Sequence, residues 1–384
     1  MTAGVAKKLL LIVAMLYGIP RVANAEGPTK YDRYVPSRPE TVAWGGFPID
    51  RPPVLTITSG QTVRIDTISQ SGANQDENPV TYLGKLGVKP DEILKDVLDF
   101  WASKEGRPEG KGTHVLTGPI YMEGAEPGDT LEVEVLELTT RVPYGINGTS
   151  PTGGVFKPEF GAKPGDPVLD IPEASRRHLI RTGMANGRQV AFFSDKIQVP
   201  LSPFMGVMGV APRMPVLGEI GVRPGLQGTR LVQGSSPPGL WGGNLDFKTL
   251  GVGARLFLPV FHPGALFYTG DPHGVQGDGE ISGGALEQSL TGVFRFVLHK
   301  HKTIDAPRAE TATQYILMGI DTDLNRAMRL AAWQVVQFLV TDKGLTQADA
   351  LSLASIAVDF HVAEAVDGTM VIVGKIPKSL FLKD

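Results

Sequence analysis

Glycine and proline interrupt this chain every few residues, and the apolar runs between them are short. That punctuation constrains the fold more than any other feature. A helix interior tolerates neither residue well, whereas short strands joined by turns make use of both. The 47 glycines and 30 prolines follow no period, and apolar segments separate them, which argues against a collagen repeat and against disorder. With 42% hydrophobic residues the chain can build a substantial core. Its 384 residues exceed the usual size of one domain, so one large or two intertwined domains fit.

Local patterns refine this into a β-rich α+β expectation. In "VLTITSGQTVRIDTIS", Val63, Ile65 and Thr67 share a face, and Ser59-Gly60 marks a turn between two strands. In "EPGDTLEVEVLEL" a turn at Glu126–Asp129 precedes Leu131, Val133 and Val135, which alternate with Glu132 and Glu134 as in a half-buried strand. "DEILKDVLDFWASKEG" has helical spacing, with Ile93, Leu94, Val97, Leu98 and Trp101 on one face. Late in the chain Met328, Ala331, Ala332, Val335, Phe338 and Leu339 form a helical stripe that stops near Gly344. "TQAD", Thr346 to Asp349, reads as the cap of a second helix, giving a helical hairpin followed by a last strand, "TMVIVGKIP".

The first 25 residues read as a signal peptide. Lys7 and Lys8 precede the apolar run Leu9 to Ile19, too short for a comfortable span, and "ANA" at 23–25 fits a cleavage site. The other reading is an uncleaved anchor. Cleavage predicts a periplasmic or secreted protein without stable membrane insertion. A formal charge of −3, with no basic run interleaved with aromatics, argues against nucleic acid as a partner. The chain has no cysteine, so disulfides, thiolate metal sites and cysteine nucleophiles are excluded.

The chemistry concentrates in "DPHGVQGDGEISGGALE", Asp271 to Glu287. In an extended chain Asp271 and His273 point to one side, as do Asp278 and Glu280. Two carboxylates and an imidazole can bind a divalent metal, with zinc and similar ions the natural candidates. A Glu beside such an ion can act as general base and acid. The alternative is turn chemistry, with Asp271 and Asp278 bonding nearby backbone N–H groups. A calcium loop is a further reading, although the spacing is not that of an EF-hand. His114, before the strand in "THVLTGPI", is either a site residue or a structural histidine. His299 and His301 alternate with lysines as on an exposed strand face. In "WGGNLDFK", Asn244 and Asp246 would point together on a strand, or Gly242-Gly243 would make a hairpin turn. There is no H-E-x-x-H, P-loop or G-x-S-x-G motif.

Taken together, "HVLTGPIYMEGAEPGDTLEVEVLEL", "PFMGVMGVAP", "GGNLDFK", "DPHGVQGDGEISGGALE" and "RAETATQYILMGIDTDLNRA", in that order, resemble the acetamidase/formamidase family from about residue 42 to the end. The resemblance implies a β-sandwich or barrel architecture over about 42–300 and an α+β part over about 301–384, within one catalytic unit spanning 26–384. It implies hydrolysis of a small linear amide to ammonia and a carboxylate, by a homo-oligomer. Metal ions accompany some members, which points to a divalent metal, zinc first and calcium second. The residues it singles out are His114, Asp246, His273 and Asp278 near the metal, Glu280 and Glu287 as proton carriers, and Asn244, Gly277 and Gly279 at the substrate. This chain departs from the family where members often carry His before "GGN" and it has Trp241, and in a Gly-rich stretch at 141–161. Those departures leave a second reading, an exported amide- or metal-binding relative without activity.

Overall fold

The computed structural model describes residues 29–107, 110, 112–171, 175–213, 224–227 and 230–382. The leader at 1–25 lies outside the described residues. Two large sheets form the body. One has nine strands, in the order Arg33–Val35, Thr62–Asp66, Leu290–His299, Thr130–Thr140, Arg255–Pro259, Arg308–Glu310, Gln314–Asp321, Met370–Pro377 and Asp359–Glu364. The other places Gly242–Asn244, Phe204–Gly209, Phe267–His273, Val115–Met122 and Val42–Trp44 side by side, with Leu55–Ile57 parallel to Val115–Met122.

The alternation in Thr130–Thr140 explains why the sheets stack. Leu131, Val133 and Val135 are buried with Phe294 and Phe296 of the neighbouring strand, in one core with Leu116, Ile120, Val207 and Phe267 of the other sheet. The Phe267 and Phe296 rings meet edge-on, with centroids 5.1 Å apart. Burying such rings is the main stabilising term for a sandwich. Val63, Ile65 and Thr67 are buried as their period predicts. The turn at Ser59-Gly60 does not make a hairpin, however, because Leu55–Ile57 pairs in one sheet and Thr62–Asp66 in the other. The chain crosses between layers there.

Four α-helices are present among the described residues: α1 (Pro79–Lys85), α2 (Lys95–Ser103), α3 (Leu324–Thr341) and α4 (Gln347–Ala357). The first has no counterpart in the sequence reading. α2 starts later than predicted, so Ile93 and Leu94 precede it and Val97 and Phe100 are its buried residues. On α3 the buried residues are Ala327, Ala331, Val335, Val336, Phe338 and Leu339, and Met328 is exposed. The stripe turns by one position because Gly319 has no side chain, and the helix seats Ala327 and Ala331 against it. Thr346 caps α4 by accepting from Asp349 N, as "TQAD" predicts. The last strand, Met370–Pro377, has an unpredicted partner in Asp359–Glu364. These C-terminal strands extend the nine-stranded sheet, so one sheet joins residues on both sides of 301. The predicted exposed strand through His301 is not found. The strand ends at His299, whose Nε2 lies 2.6 Å from Glu132 Oε2, and His301 adopts φ 56° in the turn beyond.

Candidate active site

Four neighbouring strands of the smaller sheet bring the chemistry together. His114 immediately precedes Val115–Met122, and Asp271 and His273 end the adjacent antiparallel strand, where Gly270 faces Leu116. On the other side Phe204 pairs with His273 and Val207 with Gly270. The next strand, Gly242–Asn244, leads into Asp246, whose N–H donates to Gly206 O at 3.2 Å. Gly206 therefore lies between Asp246 and Asp271. A Cβ at this position would sit 2.3 Å from Asp246 Oδ1 and 2.6 Å from Asp271 Oδ2. Only a glycine lets two carboxylates close over the strand here.

The backbone is strained where the carboxylates converge. Asp246, Asp271 and Glu280 have φ of 40°, 51° and 46°, the left-handed region that costs a non-glycine residue energy. Several site atoms are buried without a hydrogen-bond partner: both carboxylate oxygens of Asp246, Asp271 Oδ1, His273 Nε2 and His114 Nδ1. Buried polar atoms are normally satisfied, so this group of them calls for a ligand.

His273 is the hub. Its Nδ1 lies 3.0 Å from Gln276 Oε1, and its Nε2 lies 3.3 Å from Asp271 Oδ1 and 3.5 Å from Glu287 Oε1. His114 Nε2 lies 3.6 Å from Asp271 Oδ2. Asp246, His273 and Glu280 bring one ligand atom each within 4.8 Å of one another, and so do Asp271, His273 and Glu287. Burial alone would lower the His273 pKa, but Asp271, Glu287 and Glu280 outweigh it and push it up to about 10. Burial opposes ionisation of Asp271, yet His114 and His273 prevail and hold it below the ordinary carboxylate range. For Glu287, burial wins over His273 and pushes the carboxyl up to about 8. Asp246 and Glu280 are raised well above the usual values, first by burial, with carboxylate neighbours adding to it. The same fold thus holds ionised and protonated carboxyls side by side.

A family model described as the Acetamidase/Formamidase family matches residues 103–225 and 225–383. The chain belongs to this family. Among curated relatives, a formamidase of Methylophilus methylotrophus is 25% identical over 341 residues, covering 73% of this chain and 82% of that protein. An acetamidase of Mycolicibacterium smegmatis is 33% identical over 213 residues, 45% of this chain and 50% of its own. A further relative, from Schizosaccharomyces pombe, is spanned over 60% of its length. The crystal structure of an acetamidase from Yersinia enterocolitica superposes with a TM-score of 0.71 at 26% identity, covering 92% of this chain and 94% of that one.

Within this acetamidase/formamidase scaffold the sequence-predicted residues separate into two groups. His114, Asp246, His273, Glu280 and Glu287 are buried and meet as described. Asp278 does not join them: it is exposed, 3.2 Å from Lys248 Nζ and 3.7 Å from His361 Nδ1. The alternation that paired Asp278 with Glu280 needs a strand, and this stretch is turns, so only Glu280 points inward. Gly277 is exposed, and the Gly279 N–H donates to Ala363 O at 2.9 Å, so this N–H is occupied by the protein. Asn244 is buried, with Nδ2 donating to Asp367 Oδ2 at 2.7 Å and Oδ1 unpartnered. Gly242 and Gly243 are paired strand residues rather than a hairpin turn. Trp241 packs in the core.

The sequence reading missed several neighbours. Asp271, paired with His273 in the sequence but outside the residues singled out there, is one of them. Glu364 ends the strand Asp359–Glu364, Asp367 lies in the turn before the last strand, and they lie beside Gly279 and Asn244 respectively. Their only signal was two acids in an apolar stretch. The Gly-rich stretch at 141–161 proves to hold the site from outside. Ile146 and Glu287 exchange backbone hydrogen bonds, Asn147 Nδ2 donates to Gly284 O and Ala285 O, and Val155 N donates to Ile281 O.

The donors fit a divalent cation. Asp271 Oδ1 faces His273 Nε2 at 3.3 Å, and Asp246, 3.7 Å from Nδ1 through its Oδ1, closes on Asp271 across Gly206; these unpartnered buried oxygens and the imidazole are the donor types of zinc and related ions. Gln276 fixes the far side of the ring, as metal-binding histidines require.

Proposed function

We propose that this protein hydrolyses the C–N bond of a small linear amide, giving ammonia and a carboxylate, with a divalent metal held by His273 Nε2 and Asp271 and approached by Asp246 across Gly206. The observation that carries the reading is the convergence of unpartnered buried donors on His273 in a family named for amide hydrolysis. When bound, the cation polarises the amide carbonyl or lowers the pKa of water to about 7. Zinc fits the mixed nitrogen and oxygen donors best; calcium prefers more oxygens.

The chain's own groups carry the protons. Glu280 and Glu287 flank His273, and burial keeps each protonated more readily than a free carboxyl. Beside a bound cation one of these carboxyls would ionise and take a proton from the attacking water, and Glu287 would pass a proton to the nitrogen. An amide nitrogen leaves only once it is protonated. Asn244 Oδ1, buried and unpartnered, supports a role in binding substrate.

Export to the periplasm or beyond rests on the leader pattern at 1–25, and assembly as a homo-oligomer rests on the resemblance. Mass spectrometry of the exported protein checks cleavage after Ala25. No helix among the described residues is long and apolar enough to cross a membrane.

The decisive test is ammonia release from a panel of amides, before and after chelation with metal add-back. The expected result is release that chelation abolishes and one metal restores. His273→Ala should lose metal and activity together, and full activity in that variant would overturn the assignment. Amide binding with no ammonia release from any amide would favour an inactive binding relative.

A further inference from the structure

Gln70 stands outside every motif considered so far, yet its side chain reaches the site. The strand Thr62–Asp66 pairs with Leu290–His299, and the pairing runs on past the strand: Thr67 N donates to Leu290 O at 2.9 Å and Ser69 N to Ser289 Oγ at 3.0 Å. That register delivers Gln70 next to Glu287. Its Nε2 donates to Glu287 Oε2 at 2.6 Å. Its backbone carbonyl accepts from Ala73 N, Asn74 N and Gln75 Nε2, so the residue is anchored in a tight turn. The remaining polar atom, Oε1, is buried and has no donor.

The orientation of this carboxamide is set by its neighbour. Turning it over would remove the donor that serves Glu287 and the ionised Asp271 and set a carbonyl oxygen against the Asp271 carboxylate, which is repulsive. Oε1 is therefore an acceptor, and a buried acceptor without a donor is costly. The donor that a free amide brings to this site is its own NH2 group. An ester of the same shape has no such donor.

We propose that Gln70 reads the substrate nitrogen, with Oε1 accepting a hydrogen bond from the scissile NH2 while Nε2 holds Glu287. This rests on the amidase reading and deepens it. The leaving nitrogen is then fixed beside Glu287, and the enzyme selects primary amides over esters and over amides with no N–H. In the reaction the C–N bond breaks with its electron pair staying on nitrogen, the added proton comes from the site carboxyl, and water supplies the oxygen of the carboxylate product.

The test compares acetamide with methyl acetate in the metal-loaded wild-type protein, Gln70→Met and Gln70→Glu. Both variants lose the donor to Glu287, whose proton an amide needs more than an ester does, so the contrast between the kcat/KM ratios of Gln70→Met and Gln70→Glu isolates Oε1, and equal ratios in the two overturn the proposal. Gln70→Met should bring the amide-to-ester ratio about tenfold below that of Gln70→Glu, the worth of one hydrogen bond. Gln70→Glu keeps an acceptor in the same place and should hold the higher ratio even though both rates fall. An unchanged ratio in Gln70→Met overturns the proposal. If the ester is not turned over, its Ki against acetamide supplies the comparison. If the wild-type protein releases no ammonia at all, the amidase reading fails separately, and the same ratio is measured as Kd for the two ligands. Should Gln70→Met not fold, Gln70→Glu compared with Gln70→Leu gives the same contrast.

Discussion

His273 donates its Nδ1 proton to Gln276 Oε1 across 3.0 Å, and this contact decides which ring nitrogen is left to face Asp271 and Glu287. A carboxamide oxygen only accepts, so Nδ1 must carry the hydrogen. Nε2 is left facing Asp271 and Glu287. Gln276 is itself fixed, since its Nε2 donates to the Asp246 backbone carbonyl at 2.7 Å. One glutamine thus couples the loop that carries Asp246 to the ring of His273.

Gln276→Met should preserve the fold and disturb the ring. Metal-binding histidines lose roughly 10- to 100-fold in affinity or activity when the partner of the far nitrogen is removed. The expected outcome is a loss of that size in zinc affinity, measured by chelator competition, with ammonia release falling in parallel. Wild-type affinity in Gln276→Met would mean that packing alone orients the ring.

Gly206→Ala tests the close approach of Asp246 and Asp271. The added methyl would lie 2.3 Å from Asp246 Oδ1, so a carboxylate must move by more than half an ångström. Misplacement on the order of 1 Å costs about 100-fold in rate. We expect such a fall in kcat with secondary structure retained by circular dichroism.

The sequence showed some of this and hid the rest, for physical reasons. The strand Thr130–Thr140 was legible because its inward face alternates with glutamates. The α4 cap was legible because a capping residue acts on its own helix. Asp271 and His273 were legible as a pair because two residues along a strand share a face. Asp278 misled because that same rule was applied to a turn. Glu364, Asp367 and Gln70 were invisible because their partners lie 123 and 217 residues away for Asp367 and Gln70, and no local period records such a contact. The Gly-rich stretch at 141–161 looked like an anomaly of the family pattern, and Ile146 and Asn147 make it the support of Glu287.

Thr346→Ala serves as a control far from the chemistry. It removes the oxygen that accepts from Asp349 N at the start of α4. Loss of such a cap costs about 1 kcal/mol. Tm should drop slightly while kcat and KM stay at wild-type values. A change in kcat would show that the helical hairpin is coupled to the site.

The metal-free protein should lose stability as pH rises from 6 to 9. Glu287 holds its proton up to about 8 in the folded state, against an ordinary value of 4.5, because burial disfavours the charge. Between those values the folded state binds more protons than the unfolded chain, so raising the pH favours unfolding. His273 acts in the same direction: burial alone would lower its pKa, but the surrounding carboxylates keep it protonated up to about 10, so its contribution is complete below 6.5 and is lost above. Asp271 is held below its usual value against the cost of burial, so its contribution is already complete at pH 6 and does not change across the window. In the proposed metal-bound enzyme a divalent cation would take the place of protons in this cluster. Its stabilisation should therefore grow with pH, with zinc raising Tm more at pH 8.5 than at pH 6. Thermal melts with and without zinc at both pH values measure this directly. A metal-free Tm that rises across the window would mean that the cluster does not hold its protons in the folded state, and the roles given to Glu287 and His273 would fall with it.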